Sequence, residues 1–312
     1  MIRGFKDLQE SQEYLEEKLL MLNNGKKYGQ VVFLAGGAGS GKGFSSGTFM
    51  QRELFKVFDV DELKQAFLKL AKMKDNYPEI QGLDLKNPED TAKMHQFIKD
   101  KDMTQTVLDT LLSATGKNKP NLMFDITAKD IRNIKFYIPR LMNAGYNPAD
   151  VHLVWVLTNY ELAIRQNIER AQEPGGRMVP NDIMLMTHKG AAQTVYDYIE
   201  GRSKKLPING EIHVILNNRE HTVFFEPTGA DRRSKVTGKI NLGNVKDFKY
   251  MTIKKRGKPI LDEKTWQKQL YSWIAQNIPQ SDLRDMVRQK FSKEIKKTAN
   301  KRMSYRYGRT RR

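Results

Sequence analysis

The run Gly36-Gly37-Ala38-Gly39-Ser40-Gly41-Lys42, entered directly from the apolar stretch Val31-Val32-Phe33-Leu34, constrains the fold of this chain more than any other segment. A G-x-x-x-x-G-K spacing between a strand and a helix lets successive backbone N–H groups turn inward around phosphate oxygens. The helix N-terminus adds its partial positive charge, and the lysine reaches the β and γ phosphates. A glycine turn without phosphate is the bland alternative, but strand, spacing and lysine together weigh against it. Four apolar residues stopped by glycine suit a strand buried on both faces of a sheet.

The same alternation recurs down the chain. Phe55-Lys56-Val57-Phe58 reads as a second strand followed by a helix from about Glu62, and Leu122-Met123-Phe124 as a third followed by a helix from Lys129 to Asn143. Val151 to Leu157 is a fourth, with a helix from Tyr160, and Ile212 to Leu216 a fifth, after a helix spanning roughly Asn181 to Arg202. Strands alternating with helices predict an α/β fold: a mainly parallel five-stranded sheet sandwiched by helices. An amphipathic helix is expected over Phe5 to Leu22, and an edge strand over Thr222 to Glu226. Beyond Pro227 the core signal gives way to Arg232-Arg233 and Lys254-Lys255-Arg256, which sets the expected boundary between a kinase-type domain, 1–228, and a basic, mostly helical extension, 229–312. In the extension, Trp266, Leu270, Trp273 and Ile274 give one helical stripe and Leu283, Val287, Phe291 and Ile295 another, while the last twelve residues have no periodicity and are expected to be disordered.

Composition narrows the chemistry. With no cysteine, thiol nucleophiles, disulfides and cysteine-ligated metal sites are excluded, and the histidines lack ligand spacing. No secretory or membrane-spanning segment is read, so a cytoplasmic protein is expected. The net charge is +18, and residues 281–312 carry twelve Lys or Arg against three Asp or Glu. That excess suggests a polyanionic partner such as nucleic acid, with Phe291, Tyr305 and Tyr307 available to stack on bases. A solvated, solubilising tail is the competing reading.

The nucleotide is assigned to Gly36, Gly37, Ala38, Gly39, Ser40, Gly41, Lys42 and Gly43, with ATP or GTP as ligand. Gly43 departs from the usual Ser or Thr whose hydroxyl ligates Mg²⁺, so the ion is expected to be held through phosphate oxygens and water. At the end of the second strand stands Asp59-Val60-Asp61, where open α/β sheets place their ligand crevice. Asp61 is the candidate general base and Asp59 structural or metal-linked; helix capping is the alternative for Asp61. Asp125, with Thr127 close behind, is placed on the acceptor side, against an equal capping alternative. Arg165, Arg170 and Arg177 supply candidate cations. Arg177, in the glycine segment Pro174-Gly175-Gly176-Arg177, can close over the transferring phosphoryl group, and Arg165 has an i,i+4 ion pair with Glu169 as its alternative.

Taken in order, the glycine loop with Lys42, Phe58-Asp59-Val60-Asp61-Glu62-Leu63, Phe124-Asp125-Ile126-Thr127, Ile168-Glu169-Arg170 and Gly176-Arg177-Met178-Val179-Pro180 resemble the zeta-toxin family of P-loop kinases, over roughly residues 30–215. The resemblance implies a nucleoside-kinase-like sheet and phosphorylation of a hydroxyl of UDP-N-acetylglucosamine. It also implies that Asp61 acts as base, that Lys42, Arg170 and Arg177 stabilise the transferred charge, and that Asp125 takes the acceptor-contacting acidic position. Three features depart from the family pattern: Gly43, Asp125 where the toxins carry Glu, and the basic region after residue 228. Two other classes stay open, a polynucleotide 5′-hydroxyl kinase using the same loop and Asp, and a non-catalytic protein that binds nucleotide and nucleic acid.

Overall fold

The computed structural model describes residues 28–50, 52–74, 77–113, 119–173, 176, 178–203, 206–217, 249–255, 258–259, 263–290 and 292–293. The helix expected over residues 5–22, the edge strand over 222–226, the boundary near 228, Arg177 and the terminal basic run lie outside them.

The element order begins with β1 (Val31–Ala35), α1 (Lys42–Phe49), β2 (Phe55–Asp59) and α2 (Val60–Lys74), followed by α3 (Pro88–Asp100) and α4 (Met103–Ser113). Next come β3 (Asn121–Asp125), α5 (Ile131–Asn143), β4 (Val151–Leu157), α6 (Tyr160–Gln172), α7 (Asn181–Ile199) and β5 (Ile212–Leu216). The described chain closes with β6 (Lys249–Lys255), β7 (Lys258–Pro259), α8 (Glu263–Asn277) and a helix, α9, over 282–290. Among the described residues no helix is long and apolar enough to cross a membrane.

The seven strands form one sheet in the order β2-β3-β1-β4-β5-β6-β7. The first five in chain order are those the apolar runs predict, and they pair in parallel. β6 and β7 are an antiparallel addition. In β6 the strand signal is an alternation, with Met251 and Ile253 buried between flanking lysines, which a reading of the segment as merely basic passes over.

β1 is central and wholly buried, and its side chains divide between two cores. Val31, Phe33 and Ala35 join the larger, with Phe33 stacked on Phe124 at 5.2 Å, while Val32 and Leu34 join the smaller. Each such Val, Leu or Phe contributes about 1.5–3 kcal/mol relative to exposure. This two-sided burial fixes the strand that aims the glycine loop. The larger core also takes in Trp266, Leu270, Trp273 and Ile274 of α8 and Leu283 and Val287 of α9, so described elements from beyond residue 228 share a core with those before it.

The sequence pattern does not pick out α3 and α4. Each buries only a short stripe, Met94, Phe97 and Ile98 in α3 and Met103, Leu108 and Leu112 in α4. Asn87 caps α3, its side chain accepting from the Glu89 N–H, with Pro88 in the first turn. A third small core, including Ala71 of α2, Ile80, Leu85 and Met94, holds α3 against α2.

Candidate active site

The loop leaves β1 and turns into α1 through two residues that need positive φ, Gly39 at 73° and Gly41 at 77°. A Cβ on Gly39 would stand 2.7 Å from the Ala163 carbonyl oxygen of α6, and one on Gly41 would collide with the Asn217 side chain. Glycine is therefore required twice, for conformation and for space. Gly41 is the N-cap residue of α1 and makes no side-chain cap, so the helix begins with its N–H dipoles directed at the loop.

Three elements hold the loop in shape. From α7, Thr187 Oγ1 accepts from the Ala38 N–H at 3.2 Å, and His188 Nε2 lies 2.7 Å from the Ala38 carbonyl oxygen. Burial pushes the His188 pKa down to about 4, so the ring is neutral and donates through Nε2–H. After β5, Asn217 Nδ2 donates to the Ser40 carbonyl at 2.9 Å. After β4, the Thr158 hydroxyl lies 2.8 Å from both the Ser40 and the Asn217 carbonyl oxygens, its single proton serving the two.

Lys42 Nζ donates to the Gly36 carbonyl at 3.0 Å and stands 3.6 Å from Asp125 Oδ1. Asp125 is raised above the usual carboxylate range, by burial first. Lys42 and Arg52 oppose that shift, and the charges of Asp59 and Asp61 add to it. Three carboxylates therefore feel one another beside one ammonium. Their strands lie side by side in the order β2-β3-β1, with Asp59 opposite Asp125 in register, at the carboxyl ends of parallel strands.

Asp59 and Asp61 divide their roles by geometry. α2 begins at Val60, two residues earlier than capping by Asp61 requires, and the Asp61 N–H donates to Asp59 Oδ1 at 2.8 Å. Asp59 takes the capping place, so the Asp61 side chain is not the cap but stands on the first turn of α2. There Asp61 Oδ1 accepts from Lys64 Nζ at 3.0 Å. Asp125 is no cap either, because α5 is capped by Asp130 in a capping box with Asn133. Thr127 follows β3, half-buried.

Arg165 and Arg170 occupy exposed positions of α6. The segment after the glycines is anchored by Asn167, whose side chain donates to the Val179 carbonyl at 2.8 Å and accepts from its N–H at 2.9 Å.

Four residues around the crevice are not apparent from the sequence motifs. Arg52, in the turn between α1 and β2, donates to Ser46 Oγ at 3.1 Å. His95 of α3 sits among the charges of Lys64, Lys129 and Asp61, its pKa lowered by burial first and then by the two lysines. The other two are Lys64 and His188. Only Lys64, three residues after Asp61 on a helix, carries a local signal.

The side chains fit a nucleotide triphosphate better than they fit a metal ion of the usual P-loop kind. Gly43 offers no hydroxyl, and the Ser46 hydroxyl is already engaged, donating to the Gly43 carbonyl at 3.0 Å and accepting from Arg52. Among the described residues no group of three or more His, Asp or Glu is arranged to hold a metal ion.

The family model described as Zeta toxin matches residues 12–226. No curated protein matches the chain at the sequence level. Among solved structures, the chain is similar to one from the AvrRxo1-ORF1:-ORF2 complex with ATP at 11% identity and a TM-score of 0.49, over 92% of this chain and 83% of that one. It is also similar to a chain of the PezAT chromosomal toxin–antitoxin system of Streptococcus pneumoniae, at 17% identity and a TM-score of 0.40 over 76% and 88%. A third likeness is the deoxyadenosine kinase of M. mycoides with bound dATP, at 12% identity and a TM-score of 0.33 over 68% and 99%.

Proposed function

The chain belongs to the Zeta toxin family, and on that premise we propose that it is a phosphotransferase moving the γ-phosphate of ATP or GTP to an acceptor hydroxyl, that of a sugar nucleotide. The observation that carries this reading is the pairing of Lys42 with Asp125, on which the charges of Asp59 and Asp61 also act, at the carboxyl ends of adjacent parallel strands and beside a glycine loop. A loop alone binds phosphate; a loop with a carboxylate beside it can also remove a proton from an acceptor.

In the proposed reaction the loop amides and the start of α1 hold the nucleotide phosphates. The Asp61 carboxylate takes the proton of the acceptor hydroxyl as that oxygen bonds to the γ-phosphorus, and the bond from phosphorus to the bridging β–γ oxygen breaks to release the nucleoside diphosphate. Lys42 follows the charge that moves onto the bridging oxygen. Arg170 and Arg177 are assigned to the transferred phosphoryl group, and Thr127, Arg165 and Asp125 to acceptor contact.

The reading further includes the cytoplasm as place of action, in keeping with the lack of cysteine, and contact of the basic extension, 229–312, with nucleic acid. Incubation of the pure chain with γ-labelled ATP or GTP and, in separate reactions, UDP-N-acetylglucosamine or a 5′-hydroxyl oligonucleotide tests the acceptor. Label on the sugar nucleotide is the expected result. Label on the oligonucleotide would transfer the assignment to a polynucleotide kinase, and label on neither acceptor, with nucleotide bound, would leave a binding protein.

A further inference from the structure

We infer that the Arg52 guanidinium is a phosphate-binding cation of the nucleotide site, standing in the place that a P-loop of the usual pattern gives to its magnesium ion and its hydroxyl ligand. The inference rests on the phosphate-loop reading above and adds to it how the nucleotide charge is met when that hydroxyl is missing.

In the usual pattern the residue after the loop lysine brings a hydroxyl to the metal. Here that residue is Gly43, and the space its side chain would enter is bordered by Arg52: a Cβ built on Gly43 would stand 3.4 Å from Arg52 Nη1. The same nitrogen bonds Ser46 Oγ, the hydroxyl one turn along α1, whose own proton goes to the Gly43 carbonyl. Glycine at 43 and the arginine at 52 thus lie side by side, with the guanidinium at van der Waals distance from where a side chain at 43 would begin.

The charge there is available to a ligand. Glu62 Oε1 lies 3.5 Å from Nη2, but that carboxylate is largely exposed, and an exposed pair of this length is weak. Two of the five guanidinium N–H donors take part in these contacts, and the planar fork that remains matches phosphate oxygens. Arg52 also acts electrostatically on Asp125, the carboxylate beside Lys42, so the guanidinium and the ammonium bear on one crevice. A divalent cation placed beside this guanidinium would be repelled by it, whereas a triphosphate would be attracted.

The test compares binding of a fluorescent ATP analogue to the full chain in excess Mg²⁺ and in EDTA. Wild type is expected to bind with affinities within about threefold in the two buffers, and Arg52→Gln to lose at least about tenfold in EDTA with a smaller loss in Mg²⁺, a charge-assisted contact having been removed. Arg52→Lys, which keeps the charge, should retain most of the metal-free affinity, and circular dichroism checks that both variants fold. If Arg52→Gln does not fold, the wild-type ratio and Arg52→Lys decide the question alone.

Wild-type binding that collapses in EDTA overturns the inference, as do variant losses that are equal in the two buffers, the mark of a purely structural arginine. Either result leaves the phosphate loop standing. Failure of wild type to bind in both buffers overturns the loop reading itself and the inference with it.

Discussion

Lys42 is the residue on which nucleotide binding depends most directly, because its ammonium is the cation held over the loop between the Gly36 carbonyl and Asp125. Lys42→Ala should weaken ATP affinity, measured by titration calorimetry, by about 100-fold, corresponding to the loss of roughly 3 kcal/mol of charge stabilisation; unchanged affinity would remove the loop from the account. His188 gives a second residue-level expectation, this time with pH. Its folded-state pKa of about 4 lies below the ordinary value, so between the two the unfolded chain binds more protons than the folded one. Its contribution is complete above about pH 6.5 and is lost as pH falls toward 4, by up to roughly 3 kcal/mol. Urea unfolding across that window should show a shallower pH dependence for His188→Gln than for wild type. Parallel curves would mean that the ring titrates as freely in the fold as out of it.

Helices and strands show where the sequence was legible. Four of the five parallel strands come from short apolar runs, and the fifth, β2, was read from Phe55, Val57 and Phe58, so period and position both point to a parallel sheet. β6 was not legible, because only Met251 and Ile253 alternate within a lysine-rich segment, nor were α3 and α4, whose buried stripes are three residues each. The candidate site divides in the same way. Loop and carboxylates are contiguous motifs at strand ends, whereas Arg52, His95 and His188 come near them only through the packing of α3, α7 and the α1–β2 turn. The join between β5 and β6 offers a test at this scale. There the fully buried Glu211 carboxyl and His213 Nε2 meet at 2.8 Å, and His213 Nδ1 lies 2.9 Å from Thr252 Oγ1 of β6. His213→Ala removes a buried partner and should lower unfolding stability by about 3 kcal/mol. A loss below about 1 kcal/mol would show that the pair does not hold β6 to the sheet.

Across the whole molecule, part of the basic C-terminal charge is used within the fold, and we propose that the rest meets nucleic acid. Arg284 Nε and Arg288 Nε both donate to the Ala275 carbonyl in the last turn of α8, where cations are favoured, and Lys290 Nζ bonds the Tyr196 hydroxyl at 3.2 Å. Eight of the twelve basic residues from 281 onward fall at 294–312. Removal of 294–312 should therefore abolish most salt-dependent binding of single-stranded oligonucleotide, whose log–log slope is about −0.7 for each phosphate neutralised. Truncation after Gln280 would instead strip Leu283 and Val287 from the main core. Oligonucleotide binding that survives the shorter deletion would place the tether elsewhere. The measurement that bears most directly on the central claim is single-turnover transfer from γ-labelled ATP to UDP-N-acetylglucosamine by wild type and Asp61→Asn. The expected result is label on the sugar nucleotide with wild type and a rate lower by about 100-fold or more in the variant, at nearly unchanged ATP affinity. Equal rates in the two proteins, or no transfer by wild type that binds ATP, would contradict the account.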